Sequence, residues 1–325
     1  MINLNPKLFD EDIEMKPSRD GFGEGLVAAA EKDSNIVGLC ADLTESTRME
    51  EFAKKFPERF IEVGVAEQNM VTVASGMAHE GKIPFTASYA TFSPGRNWEQ
   101  IRTTICYNNQ PVKIVGSHAG ISVGPDGATH QALEDIALMR VLPNMVVVVP
   151  SDAIEAKKAT IEIAKNGKPS YIRLSRDKVS TITTEETPFK IGKAEVFKEG
   201  KDVTLIACGQ MVYYSLLAAK DLEEEKISVR IINCHTVKPL DKKTILKVAE
   251  ETGAIVTVEE HQIFGGLGSA IAELVSQTYP VPIKMVGIED HFGESGPPKD
   301  LLKKFGLTKE NIIKAVLQVL RMKRK

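Results

Sequence analysis

The sequence predicts an α/β protein of two successive domains, each built on a mostly parallel sheet. Short β-branched segments alternate with helical segments, a pattern typical of parallel α/β folds. The run Met145–Val149 is continuously apolar, as in strands buried on both faces. Residues 178–201, rich in Thr, Lys and Glu, interrupt the alternation, which then resumes. A length of 325 residues suits two domains. We expect them at residues 1–180 and 201–325, with a linker at 181–200.

In the first half, apolar and β-branched segments predict six strands, and the segments between them have helical patterns. The strands are expected at Ile36–Cys40, Phe60–Val63, Pro84–Ser88, Val112–Gly116, Met145–Val149 and Tyr171–Leu174. The helices are expected at Arg19–Glu31, Glu67–Glu80, Trp98–Tyr107, Gln131–Val141 and Ala153–Asn166.

The second half repeats the alternation, after one further strand expected at Ala194–Phe197 within the linker. The later strands are expected at Val203–Cys208, Ser228–Ile232, Ala254–Glu259 and Ile283–Gly287. The helices are expected at Val212–Glu224, Lys242–Glu251, Gly268–Gln277 and Lys309–Leu320.

Composition excludes several classes of protein. The 41 basic and 44 acidic side chains nearly balance, so no global charge drives binding to nucleic acid or membranes. We see no secretory signal and no apolar stretch of about 20 residues, and we expect a soluble, cytoplasmic protein. The four cysteines form no C-x-x-C pair, which favours buried, reduced thiols over disulfides or a zinc site.

Polar residues follow most of the predicted strands of the first half. In open α/β sheets, ligands bind beyond the carboxyl ends of the strands. The loop after Val112–Gly116 is rich in glycine and carries His118, Asp126 and His130. The spacing of the two histidines disfavours a metal site. A site that binds a polyol or phosphate through hydrogen bonds fits better. Alternatively, the glycines only permit tight turns and the histidines cap backbone groups.

Glu67 lies where a predicted strand gives way to a predicted helix. Its position alone is explained by the helix dipole, which favours an acidic residue in the first turn.

In the second half, the segment Phe264–Ala270 does not have G-x-G-x-x-G spacing, so its glycines indicate close helix packing rather than nucleotide binding. We expect His261 and His291 to have a structural or interface role. We expect the basic end of the chain to be a solvated tail.

Several longer motifs identify a family. GVAEQNMVTVASGMA, ASYATF and SVGPDGATHQALEDIALMRVLPNMVVVVPSD resemble the pyrimidine-binding domain of transketolase. TLIACGQMV, INCHTVKPLD and VEEHQIFGGLGSA resemble the C-terminal domain of the same enzymes. The resemblance covers essentially the whole chain. It implies a thiamine diphosphate-binding fold followed by a transketolase C-terminal-like domain.

The resemblance also implies a missing part. The family holds the diphosphate and Mg²⁺ through a G-D-G motif followed by Asn, and this chain has no G-D-G. We therefore expect the C-terminal subunit of a split transketolase, which transfers a two-carbon ketol unit from a ketose phosphate to an aldose phosphate. Its partner is expected to be an N-terminal subunit that binds Mg²⁺, with thiamine diphosphate shared between the chains. A heterotetramer with two chains of each type is implied.

The resemblance assigns residues to the cofactor. Glu67 is implied as a catalytic residue that binds N1′ of the aminopyrimidine and favours its imino tautomer. Phe92 is implied to stack on the pyrimidine, with Trp98 closing the pocket. Asp42 and Val65 are also implied in cofactor binding. The middle aromatic of the family's three is replaced here by Gly95, which leaves one side of the ring without its usual cover.

A second set of residues is implied to bind substrate, and none is implied to bind metal. His130, also implied as catalytic, and Asp126 would face the reacting carbons and hydroxyls of the sugar. The family's phosphate clamp is matched by Arg19, Ser46, His118 and Arg176. Both arginines also have a simpler explanation. Arg19 could lie on an exposed helix surface, and Arg176 could pair with Asp177.

Other functions remain open at this point. The tripeptide Ala66-Glu67-Gln68 also occurs in deoxyxylulose-phosphate synthase and in beta subunits of 2-oxo acid dehydrogenases, where many transketolases have R-E-H. A third alternative is a non-catalytic scaffold subunit. The phosphate clamp and the DGATHQ loop favour ketol transfer over these alternatives.

Overall fold

The computed structural model describes residues 3–323. In chain order the strands are β1 (Met15–Pro17), β2 (Ile36–Cys40), β3 (Phe60–Glu62), β4 (Ile83–Tyr89), β5 (Lys113–Ser117), β6 (Val146–Val148), β7 (Ser170–Arg173), β8 (Lys178–Ser180), β9 (Glu195–Lys198), β10 (Val203–Ala207), β11 (Val229–Asn233), β12 (Thr236–Lys238), β13 (Ile255–Gln262) and β14 (Ile283–Ile288).

The helices alternate with these strands. In chain order they are α1 (Ser18–Ala30), α2 (Glu50–Lys55), α3 (Glu67–His79), α4 (Trp98–Gln100), α5 (Asp135–Arg140), α6 (Ala153–Lys165), α7 (Met211–Glu224), α8 (Lys242–Thr252), α9 (Leu267–Thr278), α10 (Pro298–Lys304) and α11 (Lys309–Lys323). Short 3₁₀-helical turns span Pro57–Arg59 and Ile121–Asp126, and α4 continues into a π-helical turn over Ile101–Cys106.

The first sheet has seven strands in the order β12-β6-β7-β5-β4-β2-β3. Its pairings are parallel except that between β12 and β6. The register sets Tyr89 of β4 beside Ser117 of β5, so these strands end at the same edge. Strands β2 and β5 are buried along their whole length, as expected for inner strands covered on both faces.

The second sheet has five strands in the order β14-β13-β10-β11-β9, with only β9 antiparallel to its neighbour. One hydrophobic core reaches both sheets, because Val147 of β6 and Ile206 of β10 belong to the same apolar cluster. On the other face of the first sheet, α1 packs against α6. Glycines on α1 allow this close approach, since a Cβ at Gly25 would lie 2.8 Å from the backbone oxygen of Lys157.

The predicted fold class is confirmed, and each predicted strand and helix overlaps an observed one. The short β1, β8, α2, β12 and α10 were not predicted, because such short segments show little periodicity. Helix α5 begins at Asp135 rather than at Gln131, since residues 131–134 complete a loop that contacts the second half of the chain. Strand β12 joins the first sheet from beyond the predicted linker, and the proposed domain limits stay a prediction.

Two simpler expectations concern cysteines and membranes. All four cysteines are buried and unpaired, as the sequence predicted. Across residues 3–323, we find no helix with the length and apolar character required to span a bilayer.

Candidate functional site

Glu67 is the first residue of α3, directly after the loop that follows β3. Its side chain is 1% exposed, and its Oε2 accepts a hydrogen bond from Nη1 of Arg96 over 2.7 Å. Asn97 donates to the backbone oxygen of Glu67, which fixes the start of the helix to the segment after β4. The N-terminal end of a helix favours a carboxylate at this position. Within residues 3–323, no hydrogen bond to Oε1 of Glu67 is found, so this carboxylate oxygen keeps unused capacity to accept a hydrogen bond.

Aromatic rings cluster beside this pair, at the ends of β4 and β5. The rings of Tyr89 and His118 stack with their centres 3.8 Å apart. Phe92 meets His130 edge to face at 5.4 Å, and the guanidinium of Arg96 lies over the Phe92 ring at 4.7 Å. The ring of Phe92 is therefore linked through Arg96 to the Glu67 carboxylate.

Arginines form a positive region near the same edge. Nη1 of Arg19 donates to the backbone oxygen of Ser46 over 2.7 Å and lies 3.2 Å from Nε2 of His118. Nε of Arg19 is buried without a hydrogen-bond partner. Burial and the neighbouring Arg48 lower the pKa of Arg19. A partly buried guanidinium beside a second arginine favours binding of an anion.

His118 is neutral in this setting. Burial first, and then the charge of Arg19, lower its pKa to about 2. Arginine is only a donor, so Nε2 of His118 acts as the acceptor toward Arg19. The ring proton then lies on Nδ1, which faces Oγ of Ser117 at 2.9 Å. His118 thereby orients Arg19 instead of adding a positive charge of its own.

We call residues 117–131 the substrate loop. It carries His118, Asp126 and His130, and its centre is the 3₁₀-helical turn Ile121–Asp126. Arg176, after β7, donates to the backbone oxygen of Val123 over 2.6 Å, and its Nη2 lies 3.8 Å from Oδ1 of Asp126. Nδ1 of His130 contacts Oγ1 of Thr129 at 2.9 Å.

Comparison with known proteins identifies the family. The family model for the transketolase pyrimidine-binding domain matches residues 14–181, and the model for the transketolase C-terminal domain matches residues 192–312. The chain belongs to the transketolase family. The predicted family resemblance is therefore confirmed.

Individual relatives resemble this transketolase chain over almost its whole length. A putative transketolase C-terminal section from Methanocaldococcus jannaschii is 45% identical over 93% of this chain and 96% of the relative. A 6-deoxy-6-sulfo-D-fructose transketolase subunit from a Clostridium species is 42% identical over 96% and 97%. A solved structure described as a split gene transketolase, inactive beta4 tetramer, is 46% identical, with a TM-score of 0.89 over 95% and 99% of the chains.

These matches bear on the predicted activity. The prediction of the C-terminal subunit of a split transketolase is confirmed, and it fits these relatives better than either enzyme alternative. The predicted enzyme class, a transferase of the transketolase type, is confirmed as well.

The residues predicted to bind the transketolase cofactor have different surroundings. Glu67 and Phe92 are linked through Arg96. Asp42 is exposed, and its backbone N–H donates to Glu62. Val65 is 70% exposed. The indole of Trp98 donates to the backbone oxygen of Leu138 and packs against the hydrophobic core. These are the contacts of a core residue, and a role for Trp98 in the cofactor pocket stays a prediction.

The residues predicted to bind substrate are brought together more fully. Arg19 contacts both Ser46 and His118, and Arg176 lies beside Asp126 rather than pairing with Asp177. Ser46 takes part through its backbone oxygen. The residues 3–323 contain no cluster of three or more His, Cys, Asp or Glu able to hold a metal ion.

Two residues near these groups were not predicted from the sequence. Tyr89 stacks on His118, and Arg96 pairs with Glu67. Tyr89 directly follows the predicted strand Pro84–Ser88, at the edge of a sheet where ligands bind, and that position was the available signal. Arg96 is separated from Glu67 by 29 residues, so no local spacing indicates the pair.

Proposed function

We propose that this chain catalyses transfer of a two-carbon ketol unit between sugar phosphates, with thiamine diphosphate and a partner subunit. One observation carries the proposal. A buried carboxylate with unused acceptor capacity, Glu67, and a cluster of arginines around the neutral His118 occur at the same edge of the first sheet. The Glu67 carboxylate suits an aminopyrimidine, and the arginine cluster suits a phosphate.

The residues present fit the proposed cofactor. Glu67 would hold the aminopyrimidine through its Oε1, in a position from which it can share a proton with a ring nitrogen. Phe92 would stack on the ring, with Asp42, Val65 and Trp98 as further candidates. When bound, thiamine diphosphate supplies the carbon that carries the ketol unit. This chain supplies the carboxylate that holds the proton and the aromatic surface that orients the ring.

The proposed phosphate site centres on Arg19 and Arg176. The direction of the Arg19 guanidinium is set by Ser46 and His118. His130 and Asp126 would contact the hydroxyls and the reacting carbons of the sugar. Because His118 stays neutral, the two arginines provide the charge that attracts the anion. Positioning by these groups would lower the barrier of both half-reactions.

A partner subunit is proposed to complete this site. It would bind the diphosphate and Mg²⁺, for which residues 3–323 show no cluster of ligands. The related beta4 tetramer, described as inactive, supports dependence on another chain. The exposed face of α3 also supports an interface, because Gln68, Asn69, Thr72, Val73 and Gly76 are uncharged and His79, in the last turn, is the one titratable side chain on that face. We propose a heterotetramer of two chains of each type, located in the cytoplasm.

The test uses the tagged chain, purified alone and with the partner it captures from its native extract. Both samples are assayed for thiamine diphosphate- and Mg²⁺-dependent transfer from xylulose 5-phosphate to ribose 5-phosphate. The Clostridium relative justifies a second donor, 6-deoxy-6-sulfofructose. We expect activity only in the captured complex, whose native mass should equal two chains of each type. Activity of the chain alone, or none in the complex with either donor, contradicts the proposal.

A further inference from the structure

The substrate loop is in close contact with the second half of the chain. Its glycines Gly120, Gly124 and Gly127 have positive φ angles of 90°, 81° and 78°. A Cβ at Gly120 would overlap the carboxylate of Glu260, and a Cβ at Gly127 would lie 2.5 Å from Oγ of Ser295. These glycines therefore allow tight turns and also leave room for side chains from the second half.

The carboxylate of Glu260, on β13, enters the space left by Gly120. Its Oε1 accepts a hydrogen bond from the backbone N–H of Ser122 over 2.7 Å. Its Oε2 accepts one from Nε2 of Gln210 over 2.5 Å, and Gln210 also contacts Oγ of Ser122. Both carboxylate oxygens are thus used at the start of the 3₁₀-helical turn. Free N–H groups at such a start are well satisfied by a carboxylate.

Glu260 is a costly residue to bury. Its side chain is 6% exposed, and burial raises its pKa, while the nearby Arg173 opposes that shift. Arg173 donates to the backbone oxygen of Glu260 over 2.9 Å and pairs with Asp135 over 2.8 Å. A buried carboxylate is held in its charged form only by partners of this kind.

The turn held by Glu260 leads directly to the proposed phosphate site. Ser122 is followed by Val123, whose backbone oxygen accepts the hydrogen bond from Arg176. At the other end of the loop, Gln131 follows His130, and its Nε2 donates to the backbone oxygens of Gly124 and Glu294. The second half of the chain therefore contacts the substrate loop at the turn and at its end.

We propose that Glu260 is a positioning residue, which fixes the substrate loop from the second half of the chain so that Val123 holds Arg176 in place for the phosphate. The consequence for substrate rests on the proposed function, whereas the anchoring of the loop does not. The two parts are tested by separate measurements.

The anchoring is tested by hydrogen exchange on the full chain with Glu260→Ala and Glu260→Gln. A matched control is Glu273→Ala, which breaks a partly exposed ion pair, 2.6 Å long, between α9 and Arg140 of α5. With Glu260→Ala, we expect amides of residues 119–127 to exchange at least about tenfold faster, as for loss of a hydrogen bond to a charged group. Glu260→Gln should exchange nearly as the native chain, since a rotated Gln210 amide can still pair with it.

Kinetics of the assembled enzyme test the consequence for substrate. Glu260→Ala should raise KM for xylulose 5-phosphate about tenfold or more, with a smaller change in KM for unphosphorylated xylulose. Glu260→Gln should restore KM, and Glu273→Ala should leave it unchanged. If the wild-type complex shows no ketol transfer, the proposed function fails, and hydrogen exchange still decides the anchoring.

Two results would overturn the proposal. One is exchange in residues 119–127 no faster with Glu260→Ala than with Glu273→Ala. The other is acceleration spread equally over the second half, which indicates a general structural role. Where Glu260→Ala does not fold, Gln210→Ala replaces it, because it keeps the carboxylate and removes only the contacts of Gln210 to Oε2 and to Oγ of Ser122. Faster hydrogen exchange confined to residues 119–127 is then expected, and its absence would contradict the proposal.

Discussion

The guanidinium of Arg96 covers the buried carboxylate of Glu67, with Nη1 and Oε2 2.7 Å apart. The carboxylate is 1% exposed, whereas the Arg96 side chain is 46% exposed and lies over the ring of Phe92. Arg96, which is partly exposed to solvent, thus provides the counter-charge of the proposed catalytic carboxylate. It lies on the same segment as Phe92, which provides the aromatic surface.

Replacing Arg96 with Leu leaves Glu67 buried without a counter-charge. We expect the free energy of unfolding to fall by about 1–3 kcal/mol, the cost of leaving a buried polar group without its partner. Arg96→Lys should lower the free energy of unfolding by less, because it keeps a positive charge. Arg102→Leu, at an exposed arginine of the same segment, should change stability by less than about 0.5 kcal/mol. Urea unfolding of the three variants measures this, and equal losses for Arg96→Leu and Arg102→Leu would contradict the role of the pair.

Replacing Arg19 with Ala should weaken binding of phosphorylated sugars. Charge-assisted hydrogen bonds of about 1.5–3 kcal/mol predict a rise in KM for xylulose 5-phosphate of about 10–100-fold. The KM for xylulose, which has no phosphate, should stay nearly unchanged in the assembled enzyme. Equal effects on both sugars would show that Arg19 does not act through the phosphate.

The stability of the chain should fall below neutral pH in part because of His235. Burial lowers the pKa of this histidine to about 3, against about 6.5 in the unfolded chain. Below pH 6.5 the unfolded state binds a proton that the folded state does not, so stability decreases as pH falls. Between pH 7.5 and 5.5 this costs about 1 kcal/mol.

A variant that cannot titrate isolates this contribution. With His235→Gln, the loss of unfolding free energy from pH 7.5 to 5.5 should be smaller than in the native chain by about 1 kcal/mol. The His235 ring packs against Phe189. Urea unfolding at both pH values measures the difference, and identical losses would mean that His235 titrates normally in the folded state.

Gly120 should tolerate no side chain. Its φ is 90°, and a Cβ would overlap the carboxylate of Glu260. We expect Gly120→Ala to destabilise the chain by about 2–4 kcal/mol, through strain and displacement of a packed group. Gly167 has a φ of 62° with open space around it, so Gly167→Ala should cost only about 1 kcal/mol. Thermal unfolding compares the two, and equal costs would argue against close packing at Gly120.

Local chemistry in the sequence predicted much of the fold. Strands such as Ile36–Cys40 are buried and β-branched, so their pattern appears within a few neighbouring residues. The three-residue β12 has no such pattern, and it joins the first sheet only because the folded chain returns to β6.

Several contacts of the proposed site were not predicted from the sequence. Arg19, His118 and Arg176 were implied only by the resemblance to the family's phosphate clamp. The pairing of Arg96 with Glu67, and of Glu260 with the backbone of Ser122, joins residues 29 and 138 apart. Such contacts depend on how the sheets pack, for which a single sequence has no local signal.

Glu67→Ala in the assembled complex tests the central claim most directly. Because Glu67 is proposed to share a proton with the cofactor, turnover in ketol transfer should fall at least about a hundredfold. Native mass and assembly with the partner should be retained. Glu80→Ala, at the other end of α3, should keep native turnover. Near-native turnover of the Glu67→Ala complex would contradict the account.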